Sequence, residues 1–153
     1  MEREKYMRMA LELAERARNE GEVPVGCVVV CGEKVVGRGW NRREQRQNAL
    51  AHAEMMALSE ACGTLGRWRL GDCRLFVTLE PCPMCAGAIL NARVGEVCYG
   101  ASDPDYGACG GVINLFEEAF RHRPRLYGGV LRQECAELLS DFFAKLRDCS
   151  PNT

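Results

Sequence analysis

A chain of 153 residues has the size of one domain and is long enough to bury roughly two-thirds of the surface its unfolded form exposes. With 47% hydrophobic and 27% charged residues it is ordinary for a globular protein rather than a disordered one, and a formal net charge of -1 argues against a strongly basic nucleic-acid binder. No stretch approaches the roughly 18 continuous apolar residues of a membrane span, and the opening MEREKYMRMALELAER mixes acids and bases where an export signal needs a basic start and an apolar run, so a cytoplasmic protein with no membrane partner is expected.

From Tyr6 the apolar residues Tyr6, Met9, Ala10, Leu13, Ala14 and Ala17 recur at three- and four-residue steps and Gly21 follows as a stop, which predicts an amphipathic helix. The β-branched run Val23-Pro24-Val25-Gly26-Cys27-Val28-Val29-Val30, the turn Cys31-Gly32-Glu33 and the segment Lys34 to Trp40 predict a hairpin. A helix from about Ala49 to Cys62, a strand from Cys73 to Thr78, a helix from Cys82 to Asn91 and a strand from Val94 to Tyr99 follow, and such alternation argues for α/β layering. A Gly- and Asp-rich loop, Ala101 to Gly111, leads to a short helical piece at Ile113 to Phe120, a strand at Leu126 to Val130 and a last helix from Glu134 to Arg147. Residues 149–153 read as a short tail, leaving 1–148 as a single domain.

Ten cysteines would suit a secreted disulfide framework, but no export signal accompanies them, and Cys27, Cys73 and Cys98 lie inside apolar strand segments. Most are therefore read as small buried hydrophobes. Cys82 and Cys85 differ. Three residues apart on a helix, they lie on one face and can both reach one ion as thiolates. A lone CxxC also fits a redox pair or two buried thiols. His52, one of only two histidines, heads another predicted helix. Each of these helices follows a strand, so a parallel pairing of the two strands would bring both helix starts to the same end of the sheet. Helix N-termini favour thiolate over thiol. One histidine and two cysteines suit zinc and leave the fourth tetrahedral position for water, whose pKa falls to about 7 at such a site. A closed structural site completed by another of the cysteines fits the same count. Glu54, two residues after His52, favours the hydrolytic reading, because a zinc hydrolase needs a base to take the water proton and return it to the leaving group.

HAE at His52 to Glu54, followed by PCxxC at Pro81 to Cys85, resembles the signature of the zinc nucleobase deaminases. The segments VPVGCVVV, GRGWNR, HAEMMAL, LFVTLEPCPMCAGAI, YGASDP and LLSDFFAKLR extend a similarity to the bacterial tRNA-specific adenosine deaminases from about residue 2 to residue 147, the double phenylalanine pointing to the tRNA branch. The resemblance implies a three-layer α/β/α cytidine-deaminase-like fold with a central five-stranded mixed sheet, a homodimer, and hydrolysis of the wobble adenosine in the anticodon loop of an arginine tRNA to inosine, with no DNA substrate. It implies one zinc per chain on His52, Cys82 and Cys85. Water activated there attacks C6 of the flipped base, while Glu54, not itself a ligand, protonates N1 and then helps ammonia leave.

Asn41 matches an asparagine that holds the base, although as a residue it also reads as a turn asparagine after a strand. Asp103 matches an aspartate that contacts a ribose 2′-hydroxyl, a contact favouring RNA over DNA. Of Phe142 and Phe143, both at family positions near the RNA, Phe143 is taken as the stacking contact. The basic groups Arg121, His122, Arg123 and Arg125, without a nearby acid, and Arg42, Arg43 and Arg46 are candidate phosphate contacts. Where many relatives carry lysine after the Asp-Pro pair, this chain has Asp105, which removes a backbone contact. Two other readings compete: a deaminase of free cytidine, deoxycytidylate or guanine, and a zinc-stabilised binding module without turnover, against which an intact Glu54 argues.

Overall fold

The computed structural model describes residues 2–149. The apolar stripe of the N-terminal segment forms helix α1 (Glu2–Asn19), whose buried face carries Tyr6, Met7, Ala10, Ala14 and Ala17. Its first turn holds Glu2 and Glu4 and its last Arg16 and Arg18, each sign matched to the helix dipole. Strands β1 (Gly26–Cys31) and β2 (Lys34–Trp40) form the expected hairpin, and the turn uses Gly32 at φ +64°, a left-handed conformation that glycine adopts without strain. The chain continues through a short helix α2 (Arg43–Arg46), helix α3 (Ala53–Leu65), strand β3 (Cys73–Leu79), helix α4 (Pro83–Ala92) and strand β4 (Glu96–Ala101). A long loop with one 3₁₀ turn at Leu115–Glu117 leads to strand β5 (Arg125–Tyr127) and helix α5 (Arg132–Cys149).

The five strands form one mixed sheet in the order β2-β1-β3-β4-β5. β1 runs antiparallel to both β2 and β3, whereas β3, β4 and β5 are parallel. Side chains of β1 alternate between two cores. Cys27 and Val29 join Ala53, Ala57, Leu75, Val77, Ala86 and Ile89 on the face covered by α3 and α4. Val28 and Val30 join Tyr6, Met7, Phe76, Cys98 and Cys135 on the face covered by α1 and α5. This is the three-layer α/β/α arrangement around a five-stranded mixed sheet that the sequence led us to expect.

The parallel pairing on which the sequence reading relied, between the strands preceding α3 and α4, does not form; β1 lies between them. Being antiparallel to both, β1 leaves β2 and β3 running the same way, so both helix starts still reach one end of the sheet. The GRG segment of β2 explains how closely α3 lies. A Cβ at Gly37 would fall 2.1 Å from the Ala57 carbonyl oxygen, and one at Gly39 2.1 Å from that of Ala53. Two glycines thus let the helix backbone rest on the strand and fix the position of its first turn.

Other boundaries moved. The helix expected from Ala49 begins at Ala53, because residues 49–52 are held in a turn by Ala51 N–H to Asn48 O at 3.1 Å and His52 N–H to Leu50 O at 2.8 Å. The expected helix at 113–120 shrinks to the 3₁₀ turn, capped by Asn114 Oδ1 accepting from Phe116 N–H at 3.1 Å. The fifth strand ends before Gly128 and Gly129, the latter at φ +83°. The last helix starts two residues earlier than expected and runs to Cys149; the rest of the tail, 150–153, lies outside the described residues. Short α2 had no sequence signal.

Candidate metal centre and active site

His52 and Cys82 are the N-cap residues of α3 and α4, both in extended conformation, and Cys85 sits one turn into α4. Pro83 at the first helical position sacrifices no hydrogen bond there and pre-sets the helical φ. The result brings three ligand atoms from two helix starts together. His52 Nδ1 lies 3.7 Å from Cys82 Sγ and 3.5 Å from Cys85 Sγ, and all three atoms are within 4.8 Å of one another. A tetrahedral zinc with Zn–S near 2.3 Å and Zn–N near 2.0–2.1 Å separates sulfur from nitrogen by about 3.6 Å. The donor set and its spacing fit zinc.

The site is electrostatically prepared for a cation. The Cys82 thiol is pushed down to about 4, first by a hydrogen bond from Cys85 and then by His52. The same coupling and burial push Cys85 up, so the sulfur pair shares a proton that a metal replaces. His52 is raised through its hydrogen bond to Cys82. Glu54 is 4% exposed, and its burial raises the carboxyl to about 7. A group near half-protonation at neutral pH can both take and give a proton.

The other named residues are placed as follows. Asn41, 6% exposed, directly follows β2; its Nδ2 donates to Val23 O at 3.2 Å and its Oδ1 accepts from Arg43 N–H at 3.2 Å. It stabilises the turn, with one N–H and one lone pair to spare. Asp103 is half-buried in the loop after β4, its Oδ1 accepting from Asp105 N–H at 3.0 Å and Tyr106 N–H at 3.1 Å. Phe142 and Phe143 meet edge to face at 5.4 Å, with Phe142 half-buried and Phe143 40% exposed. The expectation of a basic group without a nearby acid fails at Arg125, because the β4–β5 register sets it opposite Glu96, which it approaches at 3.6 Å. His122 sits 2.6 Å from Val94 O through Nε2, far in the chain from the metal ligands.

Three buried carboxylates escaped sequence reasoning, Glu22, Glu80 and Glu96, and the first two tie down loop or helix backbone. Glu80, immediately before Pro81 and Cys82, is 3% exposed and accepts three backbone N–H groups: Asp103 at 3.0 Å on Oε1, Cys109 at 2.9 Å and Gly111 at 2.8 Å on Oε2. It ties the 103–111 loop to the strand that delivers Cys82. Glu22 does the same for α2, accepting from Glu44 N–H at 3.0 Å and Gln45 N–H at 2.7 Å. Their one available signal was an acid beside Gly- or Pro-rich sequence, which many surface acids share.

The model of the cytidine and deoxycytidylate deaminase zinc-binding region matches residues 1–101, which contain all three metal-ligand candidates and Glu54. The chain belongs to this family. It is a zinc-dependent deaminase, with the His52, Cys82 and Cys85 group able to hold the ion. The deaminase is 48% identical over 145 residues to the tRNA-specific adenosine deaminase of Bacillus subtilis (strain 168), covering 94% of this chain and 90% of the relative. To the protein of that name from Streptococcus pyogenes serotype M18 it is 42% identical over 149 residues, covering 97% and 94%. A solved structure from a study of A-to-I editing by tRNA:A34 deaminases at the wobble position of transfer RNA superposes with a TM-score of 0.85 at 40% identity, covering 88% of this chain and 99% of the other. Guanine deaminase from Nitrosomonas europaea, at 24% identity and a TM-score of 0.81 over 92% and 84%, shares the fold. No helix among the described residues is long and apolar enough to cross a membrane.

Proposed function

We propose that this deaminase converts the wobble adenosine in the anticodon loop of a tRNA, expected to be an arginine tRNA, to inosine, acting in the cytoplasm as a homodimer whose subunits each carry one domain (1–148). The observation that carries the reading is Glu54: a buried carboxyl raised to about 7, two residues after one metal-ligand candidate and hydrogen-bonded to another, Cys85. The relatives named tRNA-specific adenosine deaminases, similar over nearly the whole chain, support the substrate.

In this reading His52, Cys82 and Cys85 hold zinc, which when bound supplies the Lewis acidity that brings the pKa of water toward 7. Glu54 accepts the proton of the attacking water, delivers it to N1 of adenine and later carries one to the departing ammonia. Asn41 uses the N–H and lone pair left over from its backbone bonds to hold the base edge. Asp103 keeps Oδ2 for a ribose 2′-hydroxyl while Oδ1 is occupied by its own loop, which selects RNA. Phe143, the more exposed of the two phenylalanines, offers a face for a splayed base. Asp105, exposed on the same loop, adds negative charge where many relatives carry lysine and weakens phosphate binding.

The test measures inosine in an RNA anticodon stem-loop, the DNA hairpin of the same sequence, and free adenosine, cytidine and guanine supplied to the zinc-loaded protein. Inosine in the RNA with far less product from DNA or free compounds is expected. Rapid turnover of free cytidine or guanine with none in the RNA would move the protein to the small-molecule branch, and no turnover of anything with full zinc would make it a binding module.

A further inference from the structure

At the end of the sheet opposite the metal centre, Cys31 closes β1 and Cys73 opens β3, and the antiparallel register sets them directly across from each other. Cys73 gives its N–H to Leu70 O at 2.9 Å and receives Gly95 N–H at 3.2 Å, so its backbone groups turn away from β1. The pair therefore occupies a position without ladder hydrogen bonds, where opposed Cα atoms are about 4.5 Å apart and side chains are closest, inside the range that disulfides span. Asp72 serves both sulfurs: Cys31 Sγ lies 3.6 Å from its Oδ2 and Cys73 Sγ 3.6 Å from its Oδ1. Arg67 Nη2 lies 2.9 Å from both carboxylate oxygens and 3.9 Å from Cys31 Sγ.

These donors, all within 4.8 Å, resemble a second metal site, but a guanidinium already occupies the carboxylate and faces a sulfur. The same features suit thiol exchange. Cys31 is half-exposed and open to a small disulfide, while Cys73, opposite it in the register, is buried. Burial holds Cys73 up at about 12, so Cys31 attacks first.

We propose that Cys31 and Cys73 form a thiol–disulfide exchange site that takes a low-molecular-weight disulfide as oxidant. Cys31 thiolate attacks one sulfur of the small disulfide, releasing one small thiol and leaving a mixed disulfide on Cys31. Cys73 then attacks Cys31 Sγ and its proton passes to the small thiolate that it expels, which leaves as the second small thiol. Two protein thiols become one disulfide, and one small disulfide becomes two thiols.

The zinc-loaded protein is incubated with oxidised glutathione, quenched with an alkylating agent, digested and mapped by mass spectrometry, with zinc measured in the same sample. A Cys31–Cys73 linked peptide with unchanged zinc is expected. In Cys73→Ser the reaction stops at a glutathionyl adduct on Cys31, and in Cys31→Ser Cys73 stays reduced. A persistent adduct on Cys31 in the unaltered protein, linkage of Cys31 to Cys62 instead, or equal modification of Cys73 in Cys31→Ser overturns the proposal. So does a second equivalent of cadmium that binds the zinc-loaded protein, is lost in Cys31→Ser and blocks oxidation, since the cluster is then a cation site.

Discussion

The two ends of β3 gather similar atoms with different results. Beyond its C-terminal end, Cys82, Cys85 and His52 meet at two helix N-termini, where peptide dipoles add positive potential and the third donor is an imidazole. At its N-terminal end Cys31, Cys73 and Asp72 meet beside a hairpin turn, none of the three capping a described helix, with Arg67 bound to the third donor. Ligand-type residues at ligand-type spacing are thus insufficient. What distinguishes the ends is whether the surroundings prepare negative sulfur for a metal or provide a cation of their own.

The largest effect that tests this contrast comes from exchanging cysteines. Cys82→Ser should lose zinc by metal analysis and reduce turnover to background, while Cys31→Ser keeps both. Full zinc and activity in Cys82→Ser would erase the distinction. Next is Glu54→Gln, which should retain zinc while turnover drops by roughly 10²–10⁴, the range typical of a lost general acid–base. That variant also has a pH signature in the metal-free protein. The folded carboxyl near 7 lies above its ordinary value of 4.5, so the folded state binds the extra proton and stability falls as pH rises through that window. Removing the carboxylate should therefore stabilise the metal-free protein above neutral pH, by on the order of 2–3 kcal/mol in denaturant titrations, and do nothing near pH 4.

Glu80→Ala leaves three loop N–H groups without their acceptor, at about 1–3 kcal/mol for a buried orphan donor. It should lower stability by a few kcal/mol and, at temperatures where it stays folded, raise KM for the RNA hairpin more than it lowers kcat; zinc content stays whole. An unaltered KM would detach the 103–111 loop from substrate binding. The smallest effect belongs to Arg67→Ala. The pair with Asp72 is solvent-exposed, so calorimetry should show only a slight shift in melting temperature, with zinc and turnover intact. Because Arg67 holds Asp72 below its usual range, even this slight contribution exists above that range and fades as pH falls through it.

Much of this was legible in the sequence, for identifiable reasons. The stripe of α1 and the β-branched run of β1 are local patterns with fixed periods, whereas the seat that Gly37 and Gly39 provide for α3 appears only in the structure. His52, Cys82, Cys85 and Glu54 stood out because one of only two histidines, a CxxC pair and a carboxylate recurred at helix starts. What stayed hidden is nonlocal. Nothing around Glu80 indicates that its carboxylate will receive amides 23, 29 and 31 residues away, and nothing around Glu22 announces the capture of α2. Sheet order was similarly opaque, since a hairpin strand can pair on its second side with any later strand. Asn41 was read both ways, and its backbone bonds give the turn asparagine substance while leaving one N–H and one lone pair unused.

The insertion of β1 between β2 and β3 sets a dimension. Neighbouring strands are about 4.8 Å apart, too close for each to carry its own helix on the same face, whereas two strand spacings make about 9.6 Å. That is the separation at which two helices lie side by side in contact, about 8–10 Å. β1 therefore acts as a spacer of one strand's width, seating α3 and α4 flank to flank with their starts level. The gauge of the metal centre is accordingly written in the backbone ladder, and side-chain exchanges along β1 that preserve the ladder leave the distance between His52 and the two cysteines unchanged.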